Sequence, residues 1–416
     1  DKSQPRDKLV RETRSAMLAL AQKMQNSACE HPEAEQMVWE LARELGSVKG
    51  KKSYGYLPKD LKQKVDAIVD QMELLPSVDE CYGRWWKLQC RLNDFYAEKE
   101  RQRPPLSQQK ELSIGDNISV VTWNIGYGSL GANADFFMDG GDSVYTSTKE
   151  QVLTNMSAIT EELNSLSPDI ILLQEVDEKS SRSHKINEAS IIKDELPSYN
   201  SSYAYNYKTL MVPYPIPPIG QVASGIMTLS TYPVSTACRI KLPCPFSYPI
   251  RLCNLKRCLI VSKVPIDGTD KELVIVNLHL EAYDSGEGKA AQTKMLADIL
   301  QAETDKGNYV IAGGDFNQTF SNTDISAYPQ QSDELWAPSL IDISEFGNDF
   351  TCITDSSVPT CRSLDKSYDD ADDKFQFYVI DGFIVSSNIS IKSIETVNLD
   401  FQNSDHNPIK LEVILN

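Results

Sequence analysis

Six short segments place oxygen- or imidazole-bearing side chains beside apolar, strand-like runs. Asn124 follows Ile118-Ser-Val-Val-Thr-Trp, and Glu175 follows Asp169-Ile-Ile-Leu-Leu-Gln. Asn277 and His279 lie within Leu273-Val-Ile-Val-Asn-Leu-His-Leu, and Asp315 and Asn317 come after Tyr309-Val-Ile-Ala. Asp381 follows Phe377-Tyr-Val-Ile, and Asp405-His406 comes just before the last strand-like run. Singly, a Glu after an apolar strand is ordinarily a solvated strand end, and a lone His a satisfied structural residue. Six such placements together read as one site at the C-terminal ends of neighbouring strands.

The residue types define the chemistry. Carboxylate and amide oxygens, few histidines and no CxxC pair suit a hard divalent cation, Mg²⁺ or Mn²⁺, rather than zinc. Glu175 is the first candidate ligand. His406, beside a carboxylate and with Asp381 available to orient its ring, is a candidate general base for activating water. Asn277, Asn317 and His279 could hold or neutralise a phosphoryl group. Spacing adds constraints. Asn277 and His279 are two apart in a strand and share a face, as would Asp315 and Asn317. Gly313-Gly314 permits close approach of a ligand or a neighbouring backbone. Asp405 and His406 are adjacent and would diverge in a regular strand, so they can serve one site only from a turn, which Asn403-Ser404 and Pro408 favour.

The elements that must position these groups follow from periodicity. Strands are expected near 118–123, 169–175, 273–280, 309–312 and 377–380. The three-and-four spacing of Val152, Met156, Ile159 and Leu163 predicts a helix over 148–165, and that of Met295, Leu296, Ile299 and Leu300 one over 287–305, capped by Gly307. Before them, residues 1–103 read as helices; Leu61, Val65, Ile68, Val69 and Met72 form one amphipathic face. A polar, two-proline stretch at 104–116 reads as a linker into a second domain, 117–416.

Charge divides the chain in the same way. The 416 residues carry a formal net charge of −18. Residues 1–112 hold 20 Lys and Arg against 18 Asp and Glu; the remainder holds 21 against 41, a net −20. An acidic balance disfavours long nucleic-acid tracks, which are bound mainly through Lys and Arg. No apolar run reaches the ~18 residues of a membrane-spanning helix. Of nine cysteines, six lie beyond residue 112. They could form three disulfides in an exported domain or remain buried thiols in a cytosolic one.

In order, Trp123-Asn124, Leu173-Gln174-Glu175, Asn277-Leu278-His279-Leu280, Gly314-Asp315-Phe316-Asn317, Asp381-Gly382 and Ser404-Asp405-His406-Asn407-Pro408 resemble the motifs of the endonuclease/exonuclease/phosphatase superfamily, over roughly residues 115–416. The resemblance implies an α+β, DNase I-like fold: a four-layer α/β/β/α sandwich with the site at one end. It implies that Glu175, Asn124 and Asp405 are metal-associated and that Asp315 and Asn317 contact the scissile phosphate and nucleophile. His406 with Asp381 would be the base, and His279 would stabilise the phosphate. AP endonucleases of the exonuclease III type carry an acid two residues after the first motif's Asn and a Tyr in place of the strand His. Gly126 and His279 stand there, which disfavours that branch. Glu175-Val-Asp-Glu-Lys-Ser-Ser-Arg-Ser, Arg257-Cys258 and Pro359-Thr-Cys-Arg-Ser-Leu-Asp resemble Firmicute members of unassigned substrate, usually tethered outside the cell by an N-terminal membrane helix. Arg182, Arg257 and Arg362 thereby become candidate phosphate ligands, since Arg offers a bidentate fork.

The first region resembles something else. Gly55-Tyr-Leu-Pro, Cys81-Tyr-Gly-Arg-Trp and Pro105-Leu-Ser-Gln-Gln-Lys-Glu are similar to a helical segment downstream of the catalytic domain in mobilisation relaxases. The relaxase histidine motif has no counterpart, since only His31 occurs there, so no nicking activity is expected. The expected activity is hydrolysis of a phosphodiester, a lipid head group or small metabolite being favoured by the acidic domain. A metal-dependent DNase or RNase linked to a mobile element is the alternative, favoured by the relaxase-like region. A non-catalytic interaction module is a second alternative, and would need an incomplete motif set. A monomer is expected. It would be cytoplasmic if the N-terminal fusion is native, and extracellular or membrane-associated if it follows the tethered relatives.

Overall fold

The computed structural model describes residues 110–246, 254–283, 286–372 and 374–416; the helices expected over 1–103 lie outside them. The chain divides into two units, Asp1–Glu100 and Arg101–Asn416. The runs rich in β-branched residues are strands. The first half of the larger unit supplies β1 (Asn117–Asn124), β2 (Ile170–Asp177), β3 (Asn200–Val212), β4 (Gly220–Ser230), β5 (Thr236–Lys241) and β6 (Cys258–Pro265). Then come β7 (Glu272–His279), β8 (Tyr309–Asp315), β9 (Gln318–Phe320), β10 (Ser339–Ile341) and β11 (Phe350–Ile353). The last are β12 (Cys361–Arg362), β13 (Phe377–Tyr378), β14 (Asp381–Ser386), β15 (Ile389–Thr396) and β16 (Ile409–Leu415).

One sheet runs β15-β16-β1-β2-β4-β3 and a second β11-β14-β8-β7-β6-β5, while β9–β10 and β12–β13 are short pairs. Within the two large sheets, β1–β2 and β7–β8 are parallel at the centre and their flanking pairings are antiparallel. The parallel pairs bring the C-terminal ends of β1, β2, β7 and β8 to one end of the sandwich. Between the sheets, Val120, Ile170 and Leu172 of one meet Ile275, Ile311 and Phe383 of the other in a single buried cluster. Their removal from water is the main force holding the sheets together.

Helices cover the outer faces, as the four-layer expectation requires. α1 (Lys149–Leu166) is capped by the Thr148 side chain, which accepts from Gln151 N. Its Val152, Met156, Ile159 and Leu163 join α2 (Glu188–Glu195) in packing on Trp123, Ile171 and Leu173. α3 (Glu287–Thr304) packs on β8 and is terminated by Gly307, which at φ 78° donates its N–H to Thr304 O. Gly314 is needed for a close approach: a Cβ there would stand 2.0 Å from the Leu278 carbonyl oxygen of the adjacent strand.

Two local expectations change. The Phe377-Tyr-Val-Ile run is not one continuous strand: β13 stops at Tyr378, and Asp381 begins β14 rather than ending a strand. β14 runs antiparallel to β8 with Asp381 opposite Asp315, so its first residue lies where β8 ends. And within the stretch expected as a linker, Leu112 already bridges Ile266 and is buried in the inter-sheet core. Cys258, Cys352 and Cys361 are buried free thiols.

A buried cation–carboxylate cluster fastens α3 to the second sheet. Glu303 accepts from Lys263 at 2.7 Å, Lys306 at 2.7 Å and Asn308 at 2.8 Å. Burial pushes its carboxyl up, but the hydrogen bonds from the two lysines outweigh that and hold it below its ordinary value. A depressed folded-state pKa stabilises above the unfolded pKa, and the contribution is lost as pH falls through the folded one. Glu303→Gln is therefore expected to cost roughly 1–2 kcal/mol near pH 7. The gap should narrow in urea titrations as pH falls below the ordinary glutamate range and through the lowered folded-state pKa.

Candidate active site

Trp123 and Asn124 close β1, and Gln174 and Glu175 sit in an irregularity of the β2–β4 pairing between Leu173 and Val176. That irregularity and a left-handed backbone at Glu175 (φ 55°) turn its side chain out at the sandwich's end. A non-glycine residue in this region is costly and persists only where its surroundings hold it. Asn317 is also left-handed (φ 51°) and lies past the end of β8. It reaches the site through a turn, its N–H donating to Asp315 Oδ1 at 2.8 Å, and not through strand parity as expected. Asp405 and His406 come from the turn before β16, as their adjacency required. The turn is pinned where Ser404 Oγ donates to Asn124 O at 2.8 Å and Trp123 Nε1 to His406 O at 2.9 Å.

These elements bring His406, Asp381, Asp315, Asn124, Asn317 and His279 together. His406 Nδ1 lies 2.8 Å from Asp381 Oδ2. The Asn124 amide fixes the tautomer. Gly126 N–H donates to Asn124 Oδ1 at 3.1 Å, so the Nδ2 side faces Asp315 Oδ2 at 3.0 Å and His406 Nε2 at 3.4 Å. Since Nδ2 can only donate, Nε2 is the acceptor in the neutral imidazole and Nδ1–H is directed at Asp381. Burial lowers the His406 pKa, but Asp381 more than reverses this and holds it well above its ordinary value, so the neutral, proton-accepting ring is the form that grows as pH rises. His279 is held well below its own by burial, with Arg257 and His406 adding to it. It is therefore neutral, and its Nε2 stands 3.3 Å from Asp315 Oδ2 and 4.0 Å from Glu175 Oε1.

The carboxylates are crowded beyond what the nearby cations offset. Burial and Asp381 push Asp315 up to about 7 against the pull of His406. Burial raises Asp405 to about 6, with Glu175 adding to the shift and His406 opposing it. Among the described residues no Lys, Arg or His nitrogen forms an ion pair with Asp405 within 4 Å. Gly126 is required beside this carboxylate, since a Cβ there would stand 2.8 Å from Asp405 Oδ1. An acidic residue at that position would have to displace Asp405. Hard, partly uncompensated oxygens suit a divalent cation, which Glu175, Asp405 and the remaining lone pair of Asn124 Oδ1 would hold.

Of the candidate phosphate ligands, two border this group and two do not. Arg182 stacks 3.5 Å from the Tyr127 ring centroid and donates to both Asp177 oxygens at 3.1 and 3.2 Å. Its Nη2 remains 4.0 Å from Glu175 Oε2. Arg257 is buried 4.0 Å from Glu281, with its Nε and Nη1 left without hydrogen-bond partners. Asn277 does share a face with His279 but lies a step deeper, between the sheets. There its amide accepts from Gln174 and donates to the Leu173 and Met227 carbonyls, which takes it away from any substrate. Arg362, 1% exposed, clamps the carbonyls of Gly131, Ala134 and Ser363 and is a strut for the loops around the site. Arg362→Met is accordingly expected to lose about 3 kcal/mol in a urea melt, from carbonyls left unsatisfied.

Asp139 carried no sequence signal, because it stands in an irregular segment without a flanking strand. It accepts from Tyr283 Oη at 3.1 Å. Burial raises its carboxyl to about 7, and both Asp405 and Glu175 add to the rise, so it belongs to the same acidic field. Cys361 was likewise not singled out for the site, yet its thiol lies with Asp405 and His406 in one group of close, buried ligand atoms.

No curated protein matches the sequence. The fold is similar to an endonuclease/exonuclease/phosphatase from Beutenbergia cavernae DSM 12333, with 16% identity over 72% of each chain and a TM-score of 0.51. It is also similar to one from Bacteroides vulgatus (14% identity, 72% of this chain and 100% of that one, TM-score 0.49). The human Nocturnin catalytic domain with bound sulfate gives 17% identity over 76% of this chain and 100% of that one, at TM-score 0.45. Residues 1–114 match the family model of MobL relaxases. Residues 121–406, carrying all the site motifs, match that of the Endonuclease/Exonuclease/phosphatase family, and the chain belongs to this family of hydrolases.

Proposed function

We propose that the chain is a Mg²⁺-dependent (or Mn²⁺-dependent) phosphodiesterase in which His406 takes a proton from the attacking water. The observation that carries this reading is the buried Asp381–His406 pair, with Nε2 facing Asn124 and Asp315. Asp381 holds the ring in the tautomer that leaves Nε2 able to accept, and its charge stabilises the imidazolium formed on proton transfer. Asn317, whose Nδ2 donates to Leu280 O at 3.0 Å, is held at the site's edge. Neutral His279 can donate one hydrogen bond to a phosphoryl oxygen without adding a charge. A cation at Glu175, Asp405 and Asn124 would supply Lewis-acid stabilisation of the phosphoryl and leaving-group oxygens.

The phosphodiester of a lipid head group or small metabolite is favoured over nucleic acid. Arg182 is engaged by Asp177 and Arg362 by carbonyls, and residues 113–416 carry a net charge of −20. The relaxase-like region favours the second reading, a nuclease. Side-by-side hydrolysis of bis(p-nitrophenyl) phosphate, plasmid DNA and sphingomyelin vesicles tests both. The first and third are expected to be cleaved with Mg²⁺ and spared with EDTA; cleavage of DNA alone would favour the nuclease.

A further inference from the structure

The β3–β4 connection projects an apolar tip that neither the core nor the site uses. Leu210 is 88% exposed, Met211 47%, Tyr214 69% and Ile216 96%. Single exposed apolar residues are ordinary; four within seven positions mark a contact surface. Residues 209–238 contain no Asp, Glu, Lys or Arg, although residues 113–416 carry 62 of them. The tip stands on a built base. Tyr207, Val212, Ile219 and Val222 form a buried cluster under it. Tyr145 Oη donates to Pro218 O at 3.0 Å, and the Tyr214 ring meets Phe137 edge-on at 5.8 Å. Phe137 is two residues from Asp139, which binds Tyr283 at the rim of the active site.

Shape and charge together decide the occupant. Leu210 and Met211 are consecutive and both exposed, and Ile216 is almost fully free, so apolar groups leave the tip in several directions. Such a projection suits immersion in a fluid apolar layer, whereas a protein partner would need a pocket enclosing it on all sides. Immersion of a few apolar side chains in the headgroup and acyl boundary gives reversible surface binding. Residues 113–416, net −20, are repelled by anionic lipid, and the tip itself carries no charge of either sign. We propose that the 209–219 tip inserts into a zwitterionic phospholipid surface and delivers the site to a lipid phosphodiester there. This deepens the phosphodiesterase reading and rests on it for the reaction performed.

The test is flotation of the full chain with phosphatidylcholine vesicles in EDTA, so that binding is read without turnover. The wild type is expected to float with the vesicles, and the L210S/I216S variant to bind at least about tenfold more weakly. Both sites are exposed, so hydrolysis of soluble bis(p-nitrophenyl) phosphate in Mg²⁺ should be equal in the two proteins. In a second variant, Ile216→Trp, the emission of the introduced indole should shift to the blue on adding vesicles. Equal binding by wild type and the double variant, no binding by either, or no shift from I216W would overturn the proposal. Vesicle binding without bis(p-nitrophenyl) phosphate turnover would support the surface while overturning the catalytic reading beneath it.

Discussion

Replacing His406 by Ala is expected to lower kcat for a phosphodiester by about 10²–10⁴-fold, the usual contribution of a positioned general base. Steady-state kinetics on bis(p-nitrophenyl) phosphate checks it, with a thermal melt to show that the variant is folded. Asp381→Asn should lose a comparable factor, because an amide carries no charge to stabilise the imidazolium formed on proton transfer. Since the two residues act as one unit, H406A/D381N should be no slower than H406A alone. Multiplying losses would mean that Asp381 acts on something other than the imidazole.

Glu175→Gln has the second largest expected effect, and it falls on the metal. The change is isosteric, so the left-handed backbone at φ 55° and the irregularity in β2 need not move. It removes a negative charge from a donor set otherwise made of Asp405 and an amide oxygen. The Mg²⁺ concentration giving half-maximal activity is expected to rise by about 10–100-fold. Stability without metal supplies a readout independent of turnover. Glu175 and Asp405 repel each other in the metal-free protein, so E175Q should melt no lower than the wild type in EDTA. It should lose most of the stabilisation that Mg²⁺ gives the wild type, because a ligand stabilises only in proportion to its binding. A variant that melts lower in EDTA but keeps its Mg²⁺ response would make Glu175 a structural residue.

Much of this site was legible in the sequence because strands carry their chemistry at their ends. Asn124, Glu175, His279 and Asp315 each terminate or follow a run whose apolar pattern marks it as buried on both faces, and parallel pairing gathers those ends. The adjacency of Asp405 and His406 required a turn, and a turn is found. What the pattern lacks is direction and depth. Asp381 begins a strand because β14 is antiparallel to β8, a fact set by pairing partners distant in the chain. Asn317 owes its place to a left-handed turn, which a period of two does not encode.

The face of Asn277 was readable, but not that its amide is consumed between the sheets by Gln174 and the Leu173 and Met227 carbonyls. Arg362 illustrates the converse: in a motif resembling a phosphate site, its guanidinium is taken by backbone carbonyls. Asp139 lies in an irregular segment, where position depends on packing against remote parts of the chain. The Pro-rich run 213–218 with Tyr214 is legible in the sequence as a candidate exposed apolar rim, and Tyr214 is 69% exposed; that the end of β3, with Leu210 and Met211, joins it in projecting is not legible.

The central claim, a metal-assisted water attack driven by the Asp381–His406 pair, is tested most directly by one comparison. Hydrolysis of bis(p-nitrophenyl) phosphate is measured for the wild type and H406A, each with Mg²⁺ and with EDTA. The expected result is turnover by the wild type that requires Mg²⁺, and a rate at least about 10²-fold lower for a folded H406A under the same conditions. Turnover by H406A at the wild-type rate, or wild-type turnover undiminished by EDTA, would contradict it.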